Sequence, residues 1–166
     1  ITAYFALLNL FTGLVIYLLI KKRHGSSLAF LTTAFFLFSS TMIYHSLFIW
    51  ILNYLPLLGI LLYFCLTRKN KFTLSNIFLI GLLCGASFAL EYAFIFIAFA
   101  IFVFIIWRSP HKIPSALIFL LGAIIPNLTL VIFDLKHQFF HTLTFWQFTL
   151  DIFSGKGQTK LSYYHF

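Results

Sequence analysis

Ser87-Phe88-Ala89-Leu90-Glu91-Tyr92-Ala93-Phe94-Ile95 lies midway along a predominantly apolar run from Asn76 to Trp107, which Glu91 interrupts. As one helix, at 1.5 Å per residue, that run would reach about 48 Å, while a bilayer's hydrocarbon core is only about 30 Å thick. A lone carboxylate in hydrocarbon costs at least about 2.5 kcal/mol. A tight helical hairpin turning at Glu91 resolves both difficulties and predicts two crossings, near 76–89 and 92–107.

The rest of the chain repeats this pattern of apolar runs separated by basic clusters. Of 166 residues, 62% are hydrophobic, 21% aromatic and 8% charged, and the mean hydropathy is +1.04. Soluble domains are about half apolar, so the composition points to a polytopic membrane protein. The runs predict an all-α transmembrane bundle of about six spans, near 1–20, 27–43, 47–66, 76–89, 92–107 and 113–133. Pro56, inside the third run, is expected to kink its helix. Residues 134–166 are expected to form a juxtamembrane segment. Its aromatic residues, Phe139, Phe140, Phe145, Trp146, Phe148 and Phe153, alternate with polar ones, as in a helix lying at the membrane interface. Because the sequence opens at Ile1, without Met and inside an apolar run, it is expected to be a fragment of a longer protein.

Charge placement gives this bundle an orientation. The formal net charge is +8, a value that on its own points to nucleic acid. The bases, however, sit in short clusters between apolar runs, which excludes a basic nucleic-acid face. With a turn at Glu91, the alternation of crossings puts Lys21, Lys22, Arg23, Arg68, Lys69, Lys71, Arg108 and Lys112 on one side. The positive-inside rule makes that side cytoplasmic. Glu91, Asp134 and Asp151, the three acids of the chain, then fall on the extracytoplasmic side with residues 134–166.

The richest polar cluster is Phe133-Asp134-Leu135-Lys136-His137-Gln138-Phe139-Phe140-His141. If the helix continues past Phe133, Asp134, His137 and His141 share a face by their i, i+3 and i, i+7 spacing. That face could hold an anion or a divalent metal, although no complete metal-ligand set is present. Lys136 would point elsewhere, toward lipid phosphates. An interfacial boundary whose polar residues meet headgroups explains the cluster equally well. Glu91 reads either as a turn acid capping a helix start or as a carboxylate at the mouth of a cavity. His45, at the turn between the second and third runs, could face the same cavity, although a lone histidine is more often interfacial. Gly81-x-x-x-Gly85 predicts close helix packing. Cys65 and Cys84 read as buried thiols without metal-ligand spacing. No Ser-His-Asp order, nucleotide-binding glycine motif or CxxC pair supports soluble-enzyme chemistry.

Three segments together resemble the GT-C class of integral membrane glycosyltransferases, in the branch that includes the protein-mannosyltransferase-like and aminoarabinose-transferase-like enzymes. They are His45-Ser46-Leu47-Phe48-Ile49-Trp50 with Asn53 and Pro56, the Gly81-to-Ala86 helix running into Glu91-Tyr92, and Gly122 to Pro126 leading to Phe133-Asp134-Leu135-Lys136-His137-Gln138-Phe139. The resemblance spans roughly residues 40 to 150. It implies transfer of a sugar from a polyprenyl-phosphate carrier to an extracytoplasmic acceptor. It also implies a catalytic acid in a loop before Ile1, and Lys136 and His137 as contacts to the lipid phosphate. The competing expectation is a non-enzymatic polytopic protein, a transporter or a flippase for lipid-linked sugars.

Overall fold

The computed structural model describes residues 2–46, 51–68 and 72–154. Nine α-helices and three 3₁₀ turns account for the regular structure among these residues, and no strand occurs among them. The helices are α1 (Thr2–His24), α2 (Ser26–Leu37), α3 (Ser40–Ser46), α4 (Leu55–Leu66), α5 (Leu74–Leu90), α6 (Ile95–Arg108), α7 (Lys112–Ile124), α8 (Leu128–Lys136) and α9 (Phe140–Phe153). The 3₁₀ turns are Ile51–Tyr54, Tyr92–Phe94 and Ile125–Asn127. The chain divides into two compact units, Ile1–Pro126 and Asn127–Phe166. Ala3–His24 and Lys112–Lys136 are long and apolar enough to cross a membrane by length and composition. The other apolar helices are shorter.

The helix is broken at Glu91, in the middle of the long run. Glu91 is extended, with φ −148° and ψ 110°, and its side-chain Oε1 accepts from the Ala93 amide at 3.3 Å. It therefore ends α5 and caps the 3₁₀ turn that follows, satisfying a donor the turn leaves unpaired.

Two other sequence expectations differ from the structure. The second run is not one helix to Ile43. α2 stops at Leu37, and the Ser39 carbonyl accepts the first bond of α3 from the Ile43 amide at 3.0 Å. Serine suits such a helix-start position better than a helix interior. Pro56 does not kink a helix either, because α4 begins at Leu55 and places the proline in its first turn. The missing N–H costs nothing there.

α5 is the centre of the first unit. Ile77, Ile80, Leu83 and Cys84 on α5 form one buried cluster with Leu62 and Cys65 of α4, Ile105 of α6 and Phe119 of α7. Asn76 at the head of α5 donates from Nδ2 to the Cys65 carbonyl at 3.0 Å, fastening α5 to α4. The closest packing is between α5 and α7. A Cβ on Gly81 would collide with the Phe119 carbonyl, one on Gly85 with the Ala123 carbonyl, and one on Gly122 with the Phe78 carbonyl. The Gly81-x-x-x-Gly85 spacing thus meets a third glycine on the facing helix, and backbone lies directly against backbone.

At the basic end of the unit, the Arg23 guanidinium lies 5.4 Å and that of Arg68 5.6 Å from the centre of the Phe64 ring. Phe72, which precedes α5, lies 6.4 Å from Phe104, one turn before Arg108. Glu91 closes the opposite end of α5, about 25 Å away at 1.5 Å per residue.

Polarity is distributed unlike that of a water-soluble domain. Asn9, Thr12, Asn53, Asn76, Ser87, Ser109, Ser115, Asn127 and Asp134 are buried, while Phe35, Phe38, Phe96, Trp107 and Ile113 are each at least 73% exposed.

Gly85→Ala is expected to lower stability by about 1–3 kcal/mol through overpacking against α7. Gly59→Ala, where a Cβ would meet nothing within 4 Å, is expected to raise stability by up to about 1 kcal/mol. Thermal unfolding of both variants in detergent tests this, and equal shifts would remove the α5–α7 contact from its central role.

Candidate functional site

The polar stretch singled out in the sequence forms the turn between α8 and α9. The helix does not continue to His141. α8 ends at Lys136, and Gln138 and Phe139 take left-handed backbone angles, with φ of 55° and 61°. Asp134, His137 and His141 therefore do not share a helical face. Non-glycine residues in this conformation cost of order 1–2 kcal/mol each, so the turn must be held by other interactions.

The Asp134 side chain supplies one of them. It is buried, and its Oδ2 accepts from both the Thr142 amide at 3.1 Å and the Thr142 hydroxyl at 2.5 Å. Its carbonyl accepts from the His137 amide at 3.2 Å and the Phe139 amide at 2.8 Å. A carboxylate from one helix thus caps the first turn of the next, where the exposed N–H groups and the helix dipole favour negative charge. Asp134 spans the turn from below.

The outer side of the turn is basic. Lys136 and His137 are both exposed. The His137 ring stacks on Phe133, with centroids 3.9 Å apart and planes 16° from parallel. Its Nδ1 lies 2.8 Å from the Phe133 carbonyl. A carbonyl can only accept, so Nδ1 carries the hydrogen and the Nε2 edge is left for another partner. As imidazolium, Nε2 donates to an anion. As neutral imidazole, it accepts a proton. Compared with known protein families, curated proteins and solved structures, the chain matches none.

The remaining candidates lie elsewhere. Glu91, in the first unit, caps the 3₁₀ turn as described. His45 is in α3 and His141 in α9, and their side chains lie outside the described residues. Among the described residues, no three His, Cys, Asp or Glu side chains converge as a metal-binding group. Sequence reasoning missed Thr142, the partner of Asp134. The pair is separated by eight positions and by two left-handed residues whose types, Gln and Phe, carry no turn signal.

Asp134→Ala and Thr142→Val are each expected to cost about 1–3 kcal/mol, with a coupling of at least about 0.5 kcal/mol in the double variant. Phe139→Gly is expected to recover up to about 1 kcal/mol by relieving the left-handed strain. Additive losses at Asp134 and Thr142 in a thermal-shift cycle would show that the carboxylate does not hold the turn.

Proposed function

We propose that this chain is part of a polytopic membrane glycosyltransferase of the GT-C type, which moves a sugar from a polyprenyl-phosphate carrier to an acceptor outside the cytoplasm. The observation that carries this reading is the outward-facing pair Lys136 and His137, on a turn whose own carboxylate is engaged underneath. With Asp134 tied to Thr142, the exposed side of the turn favours an anion over a metal cation. A departing lipid phosphate needs positive charge where its own charge develops. Lys136 offers a point charge and His137, protonated, an Nε2–H donor, though neither has the bidentate fork of arginine.

Membrane placement is supported by the exposed apolar side chains around the first unit and by the two span-length helical stretches. In a bilayer, large exposed aromatics face lipid, and buried polar side chains such as Asn76 and Ser87 donate to backbone carbonyls. The six-span, basic-side-cytoplasmic topology is favoured by the packing of Arg23 and Arg68 on the same ring and by Glu91 at the far end of α5. Leu143, Trp146 and Leu150 form an exposed stripe on α9 at i+3 and i+4 spacing, suited to the extracytoplasmic interface. The catalytic acid lies outside this chain on this reading, and a divalent metal is not required by the residues described.

A transporter or lipid-linked sugar flippase is the second reading. It is favoured by the interruptions at residues 38–39, 51–54 and 92–94, since broken helices line many transport sites.

In the full-length protein, Lys136→Ala and His137→Ala are each expected to lower sugar transfer at least about ten-fold, the loss of one charge-assisted bond, without changing membrane insertion. Wild-type turnover in both would sink the phosphate-contact role. Ser154→Cys should react with an impermeant thiol reagent in intact cells. The native Cys65 and Cys84 are buried and contribute little background. Labelling only after lysis would reverse the orientation.

A further inference from the structure

We infer that a groove along α6 holds one acyl chain of an anionic glycerophospholipid, whose headgroup phosphate is bound by Arg68 and Arg108. This rests on the membrane placement proposed above and not on the transferase activity. The groove is open, has a volume of about 560 Å³, and is lined by Leu66, Phe96, Ile97, Ala100, Ile101 and Phe104. Every lining side chain is apolar, so the matching occupant is hydrocarbon. Ala100 sits between Phe96 and Phe104 at i±4 spacing, so two phenylalanines flank a gap left by a methyl group.

The position of the groove identifies the leaflet. Phe104 precedes Arg108 by about one turn and Phe96 precedes it by about three and a third turns, about 6 and 18 Å along the axis. One leaflet contributes about half of a 30 Å hydrocarbon core. An acyl chain descending from a phosphate at Arg108 therefore passes through the depth of the groove and ends near Phe96. The same end carries a second guanidinium, because Leu66 lines the groove and Arg68 follows it by two residues. Phe72, beyond Arg68, reaches the ring of Phe104. Both arginines are exposed and rest on aromatic rings, Arg68 over Phe64 at 5.6 Å and Arg108 over Trp107 at 5.4 Å. Those contacts orient the guanidinium planes and leave their N–H edges available to a phosphate.

Charge complementarity selects the headgroup. Glu91 is the sole acid in residues 1–126 and lies at the far end of α5, so an anion at the basic end meets no competing carboxylate from this unit. A second copy of the chain in the same orientation would bring an identical basic cluster and be repelled. A zwitterionic phospholipid offers the same phosphate but brings an ammonium that the clustered bases repel, so the anionic headgroup is favoured.

The test is photocrosslinking of the full-length protein in nanodiscs, with a diazirine in the acyl chain of either phosphatidylglycerol or phosphatidylcholine, mapped by peptide mass spectrometry. The phosphatidylglycerol probe is expected to label the Phe96–Phe104 segment preferentially. Arg68→Gln and Arg108→Gln should each reduce that preference about five-fold, the change expected for one basic residue at an anionic surface. Ala100→Trp should abolish labelling in the groove, while labelling of exposed residues on α1 and α2 persists. Equal labelling by both lipids would leave an ordinary boundary lipid and overturn the proposal. A crosslink between two chains through α6 would assign the groove to self-association and overturn it as well. A protein that extracts into carbonate and does not enter nanodiscs would overturn the membrane placement itself. One that enters them and shows no label on α6 overturns the lipid site alone.

Discussion

The contact between α5 and α7 is the constraint on which the first unit depends. Gly81, Gly85 and Gly122 leave no Cβ where the two helices touch, so the carbonyls of one helix lie against the α-carbons of the other at these positions. In water such a contact would add little to the burial of large apolar side chains. In a lipid environment hydrocarbon outside is as apolar as hydrocarbon inside, and close packing with weak Cα–H···O contacts becomes the main source of cohesion. The α5–α7 approach also sets where Phe119 enters the core, beside Phe102 of α6 at a centroid distance of 5.3 Å. α4 is then held by Asn76 and the leucine and cysteine side chains below it.

The polar residues follow from this arrangement. Once α5 is fixed, Thr73 and Asn76 are at one end and Glu91 at the other, each satisfying backbone groups that a helix terminus leaves open. The arginines gather at the Thr73 end and lie over aromatic rings, which lets their stems cover apolar surface while their heads face outward. Ser109 and Ser115 pair at 2.6 Å between α6 and α7, closing the turn that the Ser109-Pro110 step begins. The unit is thereby polarised, with basic groups concentrated at one end and the single acid at the other.

The α8–α9 turn is organised by a different device. A buried carboxylate holds two left-handed residues in place by capping the following helix, and Lys136 and His137, just before the bend, are left exposed. Asp134 is thus a positioning group whose importance lies in what it leaves exposed. The stacking of His137 on Phe133, with its Nδ1 bonded to the carbonyl of the same residue, fixes which ring edge can meet a ligand. Lys136, at the end of α8, has no such restraint.

Helix content was legible in the sequence because apolar runs bounded by basic clusters and prolines allow few alternatives. The break at Glu91 was legible because a carboxylate in the middle of an overlong run is costly wherever the run is placed. The small-residue spacing at Gly81 and Gly85 announced a close contact, but not its partner. Gly122 was one of several small residues, and only the tertiary fold sets it opposite them. Pro56 reads as a kink because the apolar run continues on both sides of it, and only the structure shows that α4 starts at Leu55. The site was legible as a cluster and misread as a continuous face, because Gln138 and Phe139 have no intrinsic preference for the left-handed region. Their conformation depends on the reach of Asp134 to Thr142 across the turn. The sequence alone therefore determined which residues are polar and roughly where the helices run. Tertiary structure decided which of those residues are used internally and which are presented outward, because hydrogen-bond geometry between non-adjacent positions exists only in the folded chain.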